Sequence, residues 1–274
     1  MSSRAPSRAL APLQWNWIAP QANLERPVDL TGRLPVVWQA SVPTAATVQS
    51  HLLSLLAPEE RSRLGRFRRH DDALRYLTAR GLLRTLLAAH LGVDAPAVGI
   101  EYEPGGKPRL PNAAGHASVH FNVSHSHDLV VIALSEVVAV GVDVEQVLPR
   151  DDLDELAAYV FPPREYGCWR RTDPSQRIVA FHEAWVRHEA LVKAAGTGLG
   201  CSGATCRLLP QAVRTLAVQD GYRGAVAWMP LSPWSGSDAE RTQDSLDPVR
   251  HATRGWRVDI PNLRLASPSG RGRP

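Results

Sequence analysis

The chain has 274 residues, of which 44% are hydrophobic, so it can bury a substantial core in one large domain or two smaller ones. Its formal net charge of +4 at pH 7 suits an anionic small molecule or an acidic protein partner and is too small to indicate nucleic acid by itself. The 3 cysteines are an odd and sparse count, which favours a reducing compartment over a disulfide framework. We therefore expect a cytoplasmic protein. No apolar run is long enough to predict a membrane span, so we expect no membrane partner.

The first predicted segment, residues 1–34, is a loose leader. It is rich in Ser, Arg, Ala and Pro, contains no acidic residue before Glu25, and lacks the apolar stretch of a secretory signal. An N-terminal half follows at residues 35–136. Its predicted elements are a strand at 36–42, helices at 47–56, 57–69 and 71–92, and strands at 98–102, 118–123 and 129–134.

Capping residues and charge distinguish two of these helices. Asp71 is typical of a residue that caps a helix start, and Gly92 of a residue that ends one. The preceding helix has Pro58 near its start, as helix N-termini commonly do. It carries a run of arginines whose simplest interpretation is a solvated face: Arg61, Arg63, Arg66, Arg68 and Arg69.

A C-terminal half is predicted at residues 137–229, followed by an irregular tail at residues 230–274. The half contains a strand at 137–145, helices at 152–160, near 165–169 and at 177–195, and strands at 205–209, 214–218 and 225–228. Gly196 and Gly198 are expected to end its longest helix. Because helices and strands are mixed in both halves, the sequence predicts an α+β fold whose two halves enclose a cleft.

Two acidic residues in the central strand are the most informative feature of the chain. In the segment Gly141-Val142-Asp143-Val144-Glu145, strand alternation places the valines on one face and both acids on the other. Two acids that face a cleft repel each other and lose solvation. A divalent cation such as Mg²⁺ relieves both effects because it takes oxygen ligands. The alternative is that the two acids lie on a solvated strand face.

A stripe on the longest helix supplies a third acid. Trp185, His188, Glu189, Val192 and Lys193 recur at the spacing of one helix face. Glu189 is therefore the natural third ligand for the same ion. The alternative is that Glu189 and Lys193, one turn apart, form a surface ion pair worth only about 0.3–0.5 kcal/mol.

Five segments occur in an order that resembles a known family. They are Gly106-Lys107-Pro108, Phe121-Asn122-Val123-Ser124-His125-Ser126, the acidic strand from Gly141 to Glu145, the pair Phe161 and Glu165, and the stretch from Trp185 through Glu189 and Lys193 to Gly196-Thr197-Gly198-Leu199. Together they are similar to the surfactin-type 4′-phosphopantetheinyl transferases over about residues 57–229.

The resemblance implies a monomer of two pseudo-symmetric α+β halves, with the active site in the cleft between them. Coenzyme A would bind there as co-substrate, together with Mg²⁺, or Mn²⁺ in its place. The enzyme would move the phosphopantetheine arm to a serine of an apo acyl or peptidyl carrier protein. Adenosine 3′,5′-bisphosphate would be the other product.

The resemblance also implies residue roles. Asp143, Glu145 and Glu189 would hold the metal, which bridges the pyrophosphate of coenzyme A, and Glu189 would act as the base on the carrier serine. Lys193 would steady the leaving phosphate. The remaining contacts to coenzyme A would come from Ser124 and His125 to phosphate oxygens, Lys107 to the nucleotide or its phosphates, and Arg63 and Arg75 to the 3′-phosphate.

Three positions need separate comment. His188 stands where the family commonly has Lys, so we expect a partial charge near neutral pH and a rate that falls at alkaline pH. Glu60 stands where some members carry a basic residue, which favours Arg61 and Arg63 as phosphate ligands. Asn122 is expected to shape a loop that presents Ser124 and His125.

Two other functions remain as alternatives. A non-catalytic protein that kept the pocket would bind coenzyme A and leave a carrier protein unmodified. A nucleic-acid binder that uses the arginines of residues 61–69 would bind duplex DNA with an affinity that falls steeply with salt. The complete set of three acids with Lys193 argues against the first, and the modest net charge against the second.

Overall fold

The computed structural model describes residues 14–19, 29–32, 34–102, 107–111, 118–161, 163–196 and 213–230. They form an α+β fold, which confirms the fold class predicted from the sequence. Within these ranges no helix has both the length and the apolar character needed to cross a membrane. The helices are α1 (Ala46–Leu55), α2 (Pro58–Leu64), α3 (His70–Leu91), α4 (Leu153–Val160), α5 (Pro163–Arg170) and α6 (Arg177–Ala195). The strands are β1 (Gln14–Trp17), β2 (Val36–Ser41), β3 (Glu101–Tyr102), β4 (Pro108–Arg109), β5 (His120–Ser126), β6 (Leu129–Ser135), β7 (Val138–Gln146), β8 (Val213–Leu216) and β9 (Tyr222–Pro230).

The N-terminal half is built on a sheet with the strand order β1-β2-β6-β5. Every residue of β6 is buried, and α3 packs on the sheet through Leu82 and Leu86, which are fully buried in the same core. β1 pairs in parallel with β2, and the residue after it, Ile18, is buried. This part of the predicted leader is therefore a strand of the sheet rather than a loose segment.

The C-terminal half is built on a second sheet with the order β7-β9-β8. Val142 and Val144 of β7 are fully buried in a core shared with β6, whereas α6 covers the other face of the sheet. The alternation predicted for this strand is confirmed, because Asp143 lies on the face opposite to the valines and contacts Lys193 of α6. The helix and the strand that carry the acids are thus direct neighbours.

Side chains join the two sheets where β5 lies beside β7. Asn122, Ser124 and Ser126 alternate along β5, and each accepts a hydrogen bond from a backbone N–H of β7. The donors are the N–H groups of Val142, Val144 and Gln146, at 2.9, 3.4 and 3.1 Å. We call these three contacts the seam. They satisfy backbone groups that would be costly to bury unpaired, and they bring the two halves together at the acidic strand.

Four predictions about the elements are corrected by the structure. The arginine-bearing helix ends at Leu64, before Gly65, so Arg66, Arg68 and Arg69 lie beyond it. α3 starts at His70 with Arg69 as its N-cap, and Asp71 lies in its first turn, where a carboxylate still favours the helix dipole. Of the strand predicted at 98–102, only Glu101–Tyr102 forms, after a 3-10 turn at Ala95–Ala97.

The fourth correction concerns the segment after Val123. β5 continues to Ser126 because Ser126 pairs with Leu129 of β6, and a tight turn closes this hairpin with His127 at φ 50°. Ser124 and His125 are therefore strand residues, and Asn122 shapes no loop. Gly92 and Gly196 end α3 and α6 in the left-handed conformation, as predicted. Gly198, the strand predicted at 205–209 and the tail after Pro230 lie outside the described residues.

Candidate active site

Asp143 is the centre of the candidate site. The residue is 3% exposed, and its Oδ1 accepts hydrogen bonds from the Ser124 hydroxyl at 2.9 Å and the Lys193 ammonium at 2.6 Å. Its second oxygen, Oδ2, is buried and has no hydrogen-bond partner among the described residues. A buried carboxylate oxygen without a partner is costly, so it is a position where a ligand would be stabilised.

Glu189 lies on α6 and has the same character. It is 8% exposed, and its buried Oε1 lacks a partner within the described part of the chain. Burial raises the pKa of Glu189 to about 7, and the negative charges of Asp143 and Glu145 act in the same direction. Glu189 therefore lies within electrostatic reach of both acids of β7.

Gly141 explains how α6 comes so close to β7. A methyl group in place of its hydrogen would lie 2.8 Å from the carbonyl carbon of Lys193, and closer still to backbone atoms of Ala190 and Ala194. Only a residue without a side chain allows the helix backbone to rest on the strand at this point. The glycine two residues before Asp143 thus sets the position of Glu189 and Lys193 beside it.

Glu145 completes the group of acids. Its Oε2 accepts a hydrogen bond from the Ser126 hydroxyl at 2.9 Å. Burial raises its pKa, and the neighbouring charge of Asp143 raises it further. Two raised pKa values in one cluster, those of Glu145 and Glu189, are the response expected of carboxylates that are crowded together out of water.

The donor set suits a hard divalent cation. It offers carboxylates only, two of which have a buried oxygen without a protein partner, and a cation would relieve the repulsion that raises their pKa values. The carboxylates are not, however, arranged as a ready metal cage, since no group of three or more His, Cys, Asp or Glu in the described ranges meets the geometry of a metal site. The residue types fit such an ion, and the arrangement seen here is held by Lys193 instead.

Two lysines place positive charge at the C-terminal end of α6. Lys193 donates to Asp143 and, at 3.2 Å, to the Ser124 hydroxyl. Since an ammonium has three hydrogens, one more can be donated to an incoming oxygen. Lys107, from the N-terminal half, donates to the backbone carbonyl of Lys193 at 2.9 Å, where a cation also complements the helix dipole. The structure thus brings Lys107, Ser124, Asp143 and Lys193 together.

Arg63 and His125 both line a cavity of 380 Å³ in the N-terminal half. Arg75 is directed elsewhere, because its guanidinium donates to Asp72 at 2.5 Å and to the carbonyl of His127 at 3.2 Å. Of the three arginines predicted to contact phosphate, Arg63 lines this cavity, whereas Arg75 supports the turn that follows His125. Arg61 donates instead to the backbone carbonyls of Ser54 and Leu56.

Sequence reasoning missed Arg80 as a residue of this cavity. Its guanidinium lies over the rings of Tyr76 and Tyr102, 5.7 and 5.5 Å from their centres, and its buried Nη1 has no partner among the described residues. The spacing of Tyr76 and Arg80, one helical turn apart, was the only local signal. The contact with Tyr102 comes from another segment and could not be read from the sequence.

Glu60 has a structural role. Its Oε2 accepts a hydrogen bond from Arg84 at 2.5 Å and another from the backbone N–H of Ala57, the N-cap of α2. Glu60 and Arg84 are 5% and 2% exposed, so a basic residue at position 60 would leave the Arg84 charge buried and unpaired. Glu60, which stands where some family members carry a basic residue, therefore has Arg84 as its partner in this chain.

His188 corrects a further prediction. Burial lowers its pKa to about 4, so the side chain is neutral at physiological pH. The partial positive charge expected at position 188 near neutral pH is therefore not supported, and the fall in rate at alkaline pH stays a prediction. Lys193, rather than position 188, supplies the cation of this helix face.

Comparisons with known proteins agree with this geometry. Two family models match in succession, "4′-phosphopantetheinyl transferase, N-terminal" at residues 38–137 and "4′-phosphopantetheinyl transferase superfamily" at residues 139–226. The 4′-phosphopantetheinyl transferase HetI of Nostoc sp. is 32% identical over 187 residues, which are 68% of this chain and 77% of the relative. The 4′-phosphopantetheinyl transferase Sfp of Bacillus subtilis is 26% identical over 200 residues, with 67% and 87% covered. The chain therefore belongs to the 4′-phosphopantetheinyl transferase superfamily and is an enzyme of that class.

Proposed function

We propose that this enzyme transfers the 4′-phosphopantetheine arm of coenzyme A to a serine of an apo acyl or peptidyl carrier protein, with Mg²⁺ or Mn²⁺ as cofactor. Adenosine 3′,5′-bisphosphate is the second product. The observation that carries the proposal is the pair of buried, unpartnered carboxylate oxygens, Asp143 Oδ2 and Glu189 Oε1, beside the ammonium of Lys193. We also propose that the enzyme acts as a monomer in the cytoplasm.

Asp143, Glu145 and Glu189 are the residues that would hold the metal ion. When bound, the ion supplies positive charge that stabilises the pyrophosphate and the leaving phosphate. The support for this assignment is the crowding of three carboxylates that raises the pKa values of Glu145 and Glu189.

Proton transfer is assigned to Glu189. The carrier serine Oγ attacks the phosphorus that bears the pantetheine arm, and the bond from that phosphorus to the bridging oxygen of the pyrophosphate breaks. The carboxylate of Glu189 accepts the serine proton, directly or through a water molecule. Lys193 donates its third hydrogen to an oxygen of the departing 5′-phosphate and compensates its growing charge.

The nucleotide end of coenzyme A is assigned to the cavity of 380 Å³. Arg63, Arg80 and His125 line it, and we propose that the two guanidiniums contact the 3′-phosphate, whose geometry they match. Lys107 is assigned to the pyrophosphate, because it contacts the backbone of Lys193 and the residue that follows it, Pro108, lines the cavity. Ser124 is assigned a supporting role, because its hydroxyl already serves Asp143, Val144 and Lys193.

A transfer assay tests this function. The protein is incubated with coenzyme A, Mg²⁺ and an apo carrier protein, and the carrier is weighed by mass spectrometry. We expect the addition of one phosphopantetheine arm, loss of the reaction with EDTA, and a rate at least about 100-fold lower for Asp143→Asn. The substitution keeps the shape of the side chain, and circular dichroism confirms that the variant is folded. Binding of coenzyme A without any change in carrier mass would instead support the non-catalytic alternative.

A further inference from the structure

We propose that Ser126 is a positioning residue, which holds the carboxylate of Glu145 in the orientation that metal binding requires. The proposal rests on the function proposed above. Neither the motif resemblance nor the predicted site residues assign a role to Ser126.

The two hydrogen bonds of Ser126 determine where its hydroxyl hydrogen points. The backbone N–H of Gln146 donates to Ser126 Oγ at 3.1 Å, so that oxygen acts as acceptor on this side. The single hydroxyl hydrogen is then donated to Glu145 Oε2 at 2.9 Å. One contact fixes the serine to the backbone of β7, and the other fixes the carboxylate to the serine.

The same arrangement occurs one step earlier along both strands. Ser124 accepts from the N–H of Val144 and donates to Asp143 Oδ1 at 2.9 Å. In both cases the serine binds an acid and the N–H of the residue that follows that acid. The repetition indicates that the seam orients both carboxylates of β7 through the same pair of hydrogen bonds. Of the two, Asp143 has Lys193 as an additional partner.

The third member of the seam lacks the carboxylate. Asn122 accepts from the N–H of Val142 at 2.9 Å, and the residue before Val142 is Gly141, which has no side chain to orient. Removing the side chain of Asn122 or of Ser126 therefore leaves one N–H of β7 without its acceptor in the seam. Only the change at Ser126 also releases an acid.

Orientation matters here because Glu145 has no ion-pair partner among the described residues. A long, flexible carboxylate loses conformational freedom when it binds a metal, and a preformed hydrogen bond reduces that loss. Partners that orient metal ligands in this way typically contribute about 10- to 100-fold to metal affinity.

The test measures Mn²⁺ affinity by electron paramagnetic resonance in the absence of coenzyme A, for the wild type and four variants. We expect Ser126→Ala to weaken Mn²⁺ binding about 10-fold, Ser126→Thr to keep it near wild type, and Asn122→Ala to change it less than about 2-fold. Unfolding midpoints in urea should fall by similar amounts for Ser126→Ala and Asn122→Ala, since each loses one acceptor of the seam. Omitting coenzyme A matters because Asn122 also lines the nucleotide cavity.

Three results would overturn the proposal. Wild-type affinity in Ser126→Ala would remove any role of the serine in orienting Glu145. Equal weakening in Ser126→Ala and Asn122→Ala would show that the seam matters only for stability. Mn²⁺ affinity unchanged in the fourth variant, Asp143→Asn, would instead remove the proposed metal site itself, and the role of Ser126 with it, which distinguishes the two failures.

Discussion

Neighbouring side chains hold the guanidinium of Arg80 in place in the absence of any ligand. The rings of Tyr76 and Tyr102 hold it on two sides, and Nη1 is buried with no acceptor in the described part of the chain. A buried donor without an acceptor destabilises the protein, and a phosphate oxygen would remove that penalty. Arg80 therefore loses little conformational freedom on binding a phosphate.

We expect Arg80→Gln to raise the KM for coenzyme A about 10- to 100-fold with little change in kcat, because a charge-assisted hydrogen bond is lost in both the bound substrate and the transition state. Dephospho-coenzyme A, which lacks the 3′-phosphate, should show almost no such rise. Steady-state kinetics with both substrates measure the difference.

Arg75→Gln is the matched control for this prediction. Arg75 holds Asp72 and the carbonyl of His127 rather than lining the cavity, so any rise in KM should be the same for both substrates. An equal rise for both substrates with Arg80→Gln would contradict the assignment of Arg80 to the 3′-phosphate.

At the scale of elements, the contact between α6 and β7 decides the geometry of the site. The helix carries Glu189 and Lys193, the strand carries Asp143 and Glu145, and Gly141 sets the distance between the two elements. A shift of about 1 Å in the position of reacting groups can lower a rate about 100-fold. Gly141 therefore affects the reaction by letting the backbone of α6 approach β7, which sets the positions of Glu189 and Lys193.

We expect Gly141→Ala to destabilise the protein by about 1–3 kcal/mol, since its methyl group would overlap the backbone of α6. Carrier modification should fall about 100-fold even where the variant remains folded. Urea unfolding and the mass-spectrometric assay measure the two effects. Gly99→Ala is the control, because its methyl group would meet Pro111 at an ordinary 3.4 Å. Comparable losses in both variants would refute the role of Gly141.

A second prediction for α6 concerns acid stability. Burial lowers the pKa of His182 below its ordinary 6.5, whereas the unfolded chain recovers that ordinary value. The unfolded state thus binds more protons as the pH falls below 6.5, and the folded state loses stability there, by at most about 1.4 kcal/mol per pH unit.

His182→Gln removes this contribution, so between pH 7.5 and pH 5 the variant should lose less unfolding free energy than the wild type. Urea titrations at the two values of pH provide the measurement. The exposed His51 serves as control, and His51→Gln should follow the wild type. Parallel losses in the wild type and His182→Gln would contradict the prediction.

Local patterns predicted the elements that carry the site. Alternation placed the valines and acids of β7 on opposite faces, helical spacing placed Glu189 and Lys193 on one face of α6, and Gly92 and Gly196 marked two helix ends. These features depend on neighbours a few residues apart. The early end of α2 and the extension of β5 to Ser126 depend instead on packing and on strand pairing, which no local pattern contains.

At the scale of the whole molecule, the mixed α+β composition was predictable and the way its two sheets join was not. Mixed helices and strands in both parts of the chain indicated two halves. The seam, however, depends on side chains of β5 replacing the backbone acceptors that a neighbouring strand would normally supply. The neutral state of His188, the pairing of Glu60 with Arg84 and the position of Arg80 likewise arise from distant segments.

The same seam explains why the two acids of β7, Asp143 buried and Glu145 partly buried, lie close to the N-terminal half. Ser124 and Ser126 belong to one half and Asp143 and Glu145 to the other, and Lys107 reaches across to the end of α6. These contacts connect the acids of β7 with β5, whose residues Asn122, Val123 and His125 line the cavity of 380 Å³. The proposed chemistry requires that carboxylates from β7 and α6 share a single metal ion.

Anomalous diffraction from a crystal of the protein with Mn²⁺ and coenzyme A tests that claim most directly. We predict one strong peak about 2.0–2.3 Å from oxygens of Asp143 and Glu189, with Glu145 as the third acid beside it and Lys193 turned toward the phosphates. A Mn²⁺ peak at another position would contradict this prediction. So would the absence of any ion among these acids in crystals of enzyme that modifies the carrier protein fully in solution.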